Sequence, residues 1–157
     1  VQLLRTGNAE GKTQAAGALS NLAVNADNHV TMMRAEAVEP LVQLLRTGDA
    51  AGRTQAARAL SNLAVNAANH ITMMRARAAG PLVKLLRTGD TNGKAQAAGA
   101  LSNLAVNGDN TLAIACPGAV GPLVELLRTG DNEGKTQAAR ALQILAENDD
   151  NHITLMR

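Results

Sequence analysis

Apolar positions along the chain follow one rhythm. In the segment opening at Pro40, Leu41, Val42, Leu44 and Leu45 fall on helical spacing, and the run stops at Gly48. Asp49 then offers a side-chain oxygen to the free N–H groups of a following helix, as do Asn8, Asp90 and Asp131 at matching places. That second helix runs to about Asn66 and carries Ala56, Ala59, Leu60, Leu63 and Ala64 on one stripe. After the turn Asn66 to Asn69, the piece HITMMRA predicts a short third helix with Ile71, Met74 and Ala78 on its packing face. Pro40 is expected at the first position of its helix, where a missing N–H does no harm. The pattern predicts an all-α fold.

The same text recurs. PLVQLLRTGD at Pro40 returns as PLVKLLRTGD at Pro81 and PLVELLRTGD at Pro122, a step of 41 residues. A second block, TQAAGALSNLAVN at Thr13, returns at Thr54, Ala95 and Thr136. The chain is thus one array over 1–157, with four units from Val1, Val42, Val83 and Val124, the first and last incomplete and neither evidently capped. A period of about 40 to 47 residues built of helices indicates a solenoid, in which each unit buries its apolar faces against its neighbours.

The order N-x-x-x-M-M-x-A, PLVQLLRTG and QAA-x-AL-SNLA resembles the armadillo repeats of importin-α and β-catenin over essentially the whole chain. That resemblance implies a right-handed superhelix with three helices per repeat, acting as a non-enzymatic protein-interaction scaffold with no cofactor. In the longest helix Gln14, Gly17, Asn21 and Val24 share a face distinct from the packing stripe. Stacked helices lie about 8–10 Å apart, so Asn21, Asn62 and Asn103 would form a ladder, with Gln14, Gln55 and Gln96 alongside. A carboxamide both donates and accepts, and the resemblance implies that these three Asn grip the backbone of an extended peptide on a concave surface.

The departures also count. Where importin-α often has Trp, this chain has Gly17, Arg58, Gly99 and Arg140, so no slot for a lysine stem is expected. The ladder stops at the fourth unit, where Ile144 replaces Asn beside Gln143. Arg58 and Arg140 favour carboxylates or phosphates, and an acidic extended segment is the expected partner.

Composition narrows the alternatives. The chain is 46% apolar but has no Phe, Tyr or Trp, so its core is aliphatic and it lacks platforms for stacking bases. A net charge of +2 is far from the basic field of a nucleic-acid binder, and no nucleic-acid partner is expected. No apolar run approaches the ~18–20 residues of a membrane span, and an intracellular chain, cytoplasmic or nuclear, is expected. Cys116 stands alone, and His29, His70 and His152 are one repeat apart, too far to share a metal held at about 2.0 Å. GNAEGKT at Gly7 and GDNEGKT at Gly130 look like phosphate loops, but leave three residues between the glycines where four are needed. They are expected to be helix-to-helix turns. Ser20, Ser61 and Ser102 are expected to fill the helix surface.

Two irregularities remain. The first unit lacks a short helix, and the last ends in one, so Val1, Leu3 and Leu4 are candidates to receive Ile153, Leu155 and Met156 of another copy. The alternative to peptide binding is therefore a self-assembling, engineered or excised repeat fragment joined head to tail or by exchange. Before the Pro-led helices the chain has Glu36, Arg77 and Gly118, where the family places Gly. A left-handed non-Gly residue costs about 1–2 kcal/mol, so the first two junctions are expected to open into a longer helix kinked near Pro40 or Pro81.

Overall fold

The computed structural model describes residues 1–115 and 118–147. Their elements are all helical. In chain order they are α1 (Gln2–Thr6), α2 (Ala9–Leu22), α3 (Asp27–Arg34), α4 (Val38–Thr47), α5 (Ala50–Leu63), a 3-10 turn (Ala67–Asn69), α6 (His70–Arg75), α7 (Ala79–Thr88), α8 (Thr91–Ala105), α9 (Gly108–Ala115), α10 (Val120–Thr129) and α11 (Asn132–Ala146). Helices α2, α5, α8 and α11 pack in succession into one layer. Helices α1, α4, α7 and α10 form a second, and each also packs on the long helix that follows it. The short helices α3, α6 and α9 bridge one unit to the next.

Each long helix starts on the cap that the sequence implies. The side-chain oxygens of Asn8, Asp49, Asp90 and Asp131 accept from the N–H of Gly11, Gly52, Gly93 and Gly134 at 2.8, 2.7, 2.7 and 2.8 Å. The phosphate-loop look-alikes are thus helix-to-helix turns: Gly7 ends α1 and Gly11 sits in the first turn of α2. Pro40 comes later than expected. Helix α4 begins at Val38, so Pro40 is its third residue, still within the turn whose N–H groups have no helical acceptor.

The core is Leu on Ala. Ala56, Ala59, Leu60, Leu63 and Ala64 are all buried, as the stripe required, against Leu41, Leu44, Leu45 and their counterparts. On α6 the register differs from expectation. His70 and Met73 are buried, Met74 is half-buried and Ile71 is exposed. The imidazole of His70 takes the inward place because its Nε2 donates to the carbonyl of Ala64 at 2.7 Å, while Asn69 Nδ2 donates to Leu63 O at 2.8 Å. The same contacts join Asn28 to Leu22 O at 2.9 Å and His29 to Ala23 O at 2.8 Å. In the third unit Asn110 donates to Leu104 O at 2.9 Å, and Thr111 stands in the histidine's place. These residues close the frayed end of each long helix onto the next short one.

The expected opening of the junctions does not occur. Glu36 and Arg77 hold φ of 53° and 56°, and Gly118 holds 79°, so all three make the left-handed turn between short and Pro-led helices. An arginine from the preceding unit steadies each turn. Arg46 Nη2 donates to Ala76 O at 2.9 Å, Arg87 Nη2 to Gly118 O at 3.0 Å, and Arg5 pairs with the Glu36 carboxylate at 3.1 Å. Hydrogen bonds to an external guanidinium and burial of the flanking residues Ala37, Val38 and Ala78 hold the strained backbone in place.

Candidate functional site

The long helices present one face that the other helices leave open. On α2, Gln14 and Asn21 are exposed and Gly17 is half-exposed, while Val24, expected on the same helix face, lies exposed in the turn beyond the helix end at Leu22. On α5 and α8, Gln55, Asn62, Gln96 and Asn103 are half-exposed, while Arg58 on α5 and Arg140 on α11 are exposed. Two of the three Asn, Asn62 and Asn103, are held in equivalent settings. Asn62 Nδ2 donates to Ser20 O at 3.0 Å, and Asn103 Nδ2 donates to Ser61 O at 3.1 Å. Each amide thus reaches back to the carbonyl just before the Asn of the preceding unit. One N–H is spent on this stitch; the second N–H and Oδ1 have no protein partner among the described residues.

The spacing of the row explains its end. At the fourth position Ile144 packs half-buried against the core and offers no amide to the carbonyl of Ser102. Ser20 and Ser102 are buried rather than surface filler, a correction to the sequence expectation, and their hydroxyls have no hydrogen-bond partner among the described residues. Small side chains here let consecutive long helices approach.

The glutamines and the Gly/Arg position interlock. A Cβ on Gly17 would meet Gln55 Oε1 at 3.6 Å, and one on Gly99 would meet Gln137 Cδ at 3.5 Å. Where the residue is glycine, the next unit's glutamine lies over it. Beside Arg58, Gln96 turns the other way and donates to Glu133 Oε1 at 3.0 Å. Arg58 therefore stands clear on the open face between two glycine gaps, with no ion pair among the described residues.

The remaining candidates fall elsewhere. Val1 is half-buried, Leu3 is exposed and Leu4 is buried in the core, so Leu4 is no part of a docking surface. Ile153, Leu155 and Met156, like Cys116 and His152, lie outside the described residues. Among the described residues no group of three His, Cys, Asp or Glu is placed to hold a metal, and no single helix is long and apolar enough to cross a membrane. A cavity of about 650 Å³ lies on the other side of the stack, lined by Leu4, Lys12, Met33, Val38 and Pro40, away from the amide row.

A stack of three-helix units at a 41-residue step, with one open face repeated along it, is an α-solenoid of the armadillo class. The Armadillo/beta-catenin-like repeat model matches residues 25–65, 69–106 and 109–147, and the chain belongs to that family. No curated protein matches the chain. Among solved structures it resembles an engineered protein at 33% identity and a TM-score of 0.90. It also resembles a designed armadillo repeat protein in complex with the peptide (KR)4 at 27% and 0.88, and a computationally designed armadillo repeat protein for modular peptide recognition at 29% and 0.91. Each match covers 99% of this chain, which spans 64%, 66% and 67% of theirs, about two thirds of each.

Proposed function

We propose that this chain is a non-enzymatic scaffold that binds an extended, acidic peptide along the open face of α2, α5 and α8. The observation that carries this reading is the paired setting of Asn62 and Asn103. Both are fixed by the same stitch to the preceding unit, and both keep an acceptor and a donor free. A side chain already held in one rotamer loses little entropy on binding, so its bonds to a peptide N–H and C=O are not spent on ordering. Asn21 adds a third rung, and Gln14, Gln55 and Gln96 flank the row.

Three amide rungs at about 0.5–1.5 kcal/mol each give only weak binding, so side-chain recognition has to supply the rest. Arg58 supplies it on the open face, with Arg140 two units along. Both are exposed guanidiniums with no ion pair among the described residues, where a carboxylate can be taken bidentately. The solved relative holding (KR)4 takes a basic peptide; Arg58 and Arg140 reverse that preference here. Fluorescence anisotropy with a labelled Glu/Asp-rich peptide and with (KR)4 tests the reading. Tighter binding of the acidic peptide, reversed by Arg58→Glu, is expected; equal or tighter binding of (KR)4 would overturn it.

A second reading, head-to-tail association, rests on a different observation. Leu3 and Leu22 are half-exposed at one end, whereas Leu44, Leu85, Leu63 and Leu104 at the same positions are buried. Val124 and Leu127 are exposed at the other end, whereas Val42, Val83, Leu45 and Leu86 are buried. The two end faces thus carry the residues through which neighbouring units pack, and a second copy has the complementary surface. Sedimentation velocity over a concentration series, with Leu22→Glu and Leu127→Glu as variants, reads this directly. A monomer at every concentration would remove it.

A further inference from the structure

Asparagine followed by glycine occurs twice in the chain, at Asn92–Gly93 and at Asn107–Gly108. The pair is chemically special because glycine leaves the backbone nitrogen after asparagine unhindered and free to rotate toward the side-chain amide carbon. The fold treats the two copies differently. Asn92 is the second residue of α8, and the N–H of Gly93 donates to the Asp90 cap at 2.7 Å. Gly93 is buried, and a Cβ there would stand 2.9 Å from Thr54 Oγ1. Its nitrogen is occupied and its backbone has no room to turn.

Asn107 lies in the turn between α8 and α9, and Gly108 opens α9. Asn107 is half-buried, Gly108 is exposed, and nothing comes within 4 Å of a Cβ placed on Gly108. The Gly108 N–H has no acceptor among the described residues. The Asn107 side chain is already folded back over this nitrogen, because its Oδ1 accepts from the Asp109 N–H at 3.1 Å. That N–H also points at the oxygen on which charge gathers when a nitrogen adds to the amide carbon. The same turn is made twice more: Asn25 Oδ1 accepts from the Asp27 N–H and Asn66 Oδ1 from the Ala68 N–H, each at 3.0 Å. There the next residue is Ala26 or Ala67, so the first two units supply the same geometry without the glycine.

We propose that Asn107 is a site of spontaneous succinimide formation, a covalent modification that Asn25, Asn66 and Asn92 escape. Base takes the Gly108 N–H proton, and the nitrogen attacks Cγ of Asn107. The Cγ–Nδ2 bond then breaks, and Nδ2 leaves as ammonia, carrying off that proton. Water opens the ring at either carbonyl. Hydrolysis at Cγ leaves aspartate, and hydrolysis at the backbone carbonyl leaves isoaspartate, in which the main chain runs through the side-chain carbon. One water enters and one ammonia leaves, and nothing is oxidised or reduced. Aspartate keeps an acceptor for the Asp109 N–H. Isoaspartate instead adds a methylene to the main chain inside the loop that the 2.9 Å bond from Asn110 to Leu104 O closes. Of the three equivalent turns, this is the one that ages, and it does so independently of the amide row.

The test is peptide mapping by mass spectrometry on the full chain held in mildly alkaline buffer, with the aspartate and isoaspartate forms separated by chromatography. The peptide containing Asn107 should convert first, about tenfold or more faster than those containing Asn25, Asn66 or Asn92. Gly108→Ala places in open space the alanine that the other two turns carry, and should bring Asn107 down to the rate of Asn25 and Asn66. In urea the cap on Gly93 is lost, and Asn92 should then convert as fast as Asn107. Three results would each overturn the proposal: equal conversion at Asn92 and Asn107 in the folded chain, a rate at Asn107 no higher than at Asn25 or Asn66, or a lead for Asn107 over Asn92 that persists unchanged in urea.

Discussion

Glycine at the first two junctions should stabilise the fold. Glu36 and Arg77 occupy left-handed backbone at φ 53° and 56°, where a Cβ costs about 1–2 kcal/mol. Glycine removes that strain but gives back about 0.4–1 kcal/mol through the freedom of the unfolded chain. Arg77→Gly should therefore gain about 0.5–1 kcal/mol, since the Arg77 side chain is exposed and the bond at this turn, from Arg46 to Ala76 O, involves its neighbour's backbone. Glu36→Gly should gain less, because it gives up the pair with Arg5, whose side chains are 44% and 77% exposed and whose worth is only a few tenths, about 0.2–0.5 kcal/mol, after screening. The third junction is the internal control. A Cβ on Gly118 would stand 2.6 Å from Arg87 Nη2, so Gly118→Ala should lose about 1–3 kcal/mol by adding strain and displacing that guanidinium. Urea unfolding at constant m-value measures all three. At about 2–4 °C per kcal/mol for a chain of this size, Arg77→Gly should raise Tm by about 1–4 °C. A lower midpoint for Arg77→Gly, or an unchanged one for Gly118→Ala, would refute the strain assignment.

Other substitutions separate framework from site. Asn69→Ala removes the 2.8 Å donor to the buried Leu63 carbonyl, which keeps the Asn66 N–H at 3.2 Å, and should cost about 0.5–1.5 kcal/mol in chemical unfolding. Asp90→Ala removes the acceptor of the Gly93 N–H at 2.7 Å and should cost about 0.5–2 kcal/mol, with hydrogen exchange rising first in the opening turn of α8. Ile144→Asn supplies an amide facing the Ser102 carbonyl, and should tighten an acidic peptide long enough to reach α11 by about two- to tenfold in anisotropy.

Helix order, caps and the Leu-on-Ala core were legible because the repeat step shows each position three or four times, and because Asn8, Asp49, Asp90 and Asp131 have one evident use. The face bearing Asn21, Asn62 and Asn103 was legible from helical spacing alone. Its stitch to Ser20 and Ser61 was not, since a bond between residues 42 apart leaves no local pattern. Local strain at Glu36 and Arg77 points to open junctions, whereas the arginine that arrives at each turn from the preceding unit leaves no local pattern in the sequence. Ile71 was assigned inward because hydrophobicity ranks it above His70, whereas the carbonyl of Ala64 gives the imidazole a partner that Ile cannot use.

The central claim is that a fixed row of amides grips a peptide backbone. Isothermal titration of the acidic peptide against the unmodified chain and the Asn62→Ala, Asn103→Ala double variant tests it most directly. Two lost rungs at about 0.5–1.5 kcal/mol each predict affinity weaker by about five- to a hundredfold, with the helices intact by circular dichroism. Unchanged affinity in a folded double variant would contradict the account.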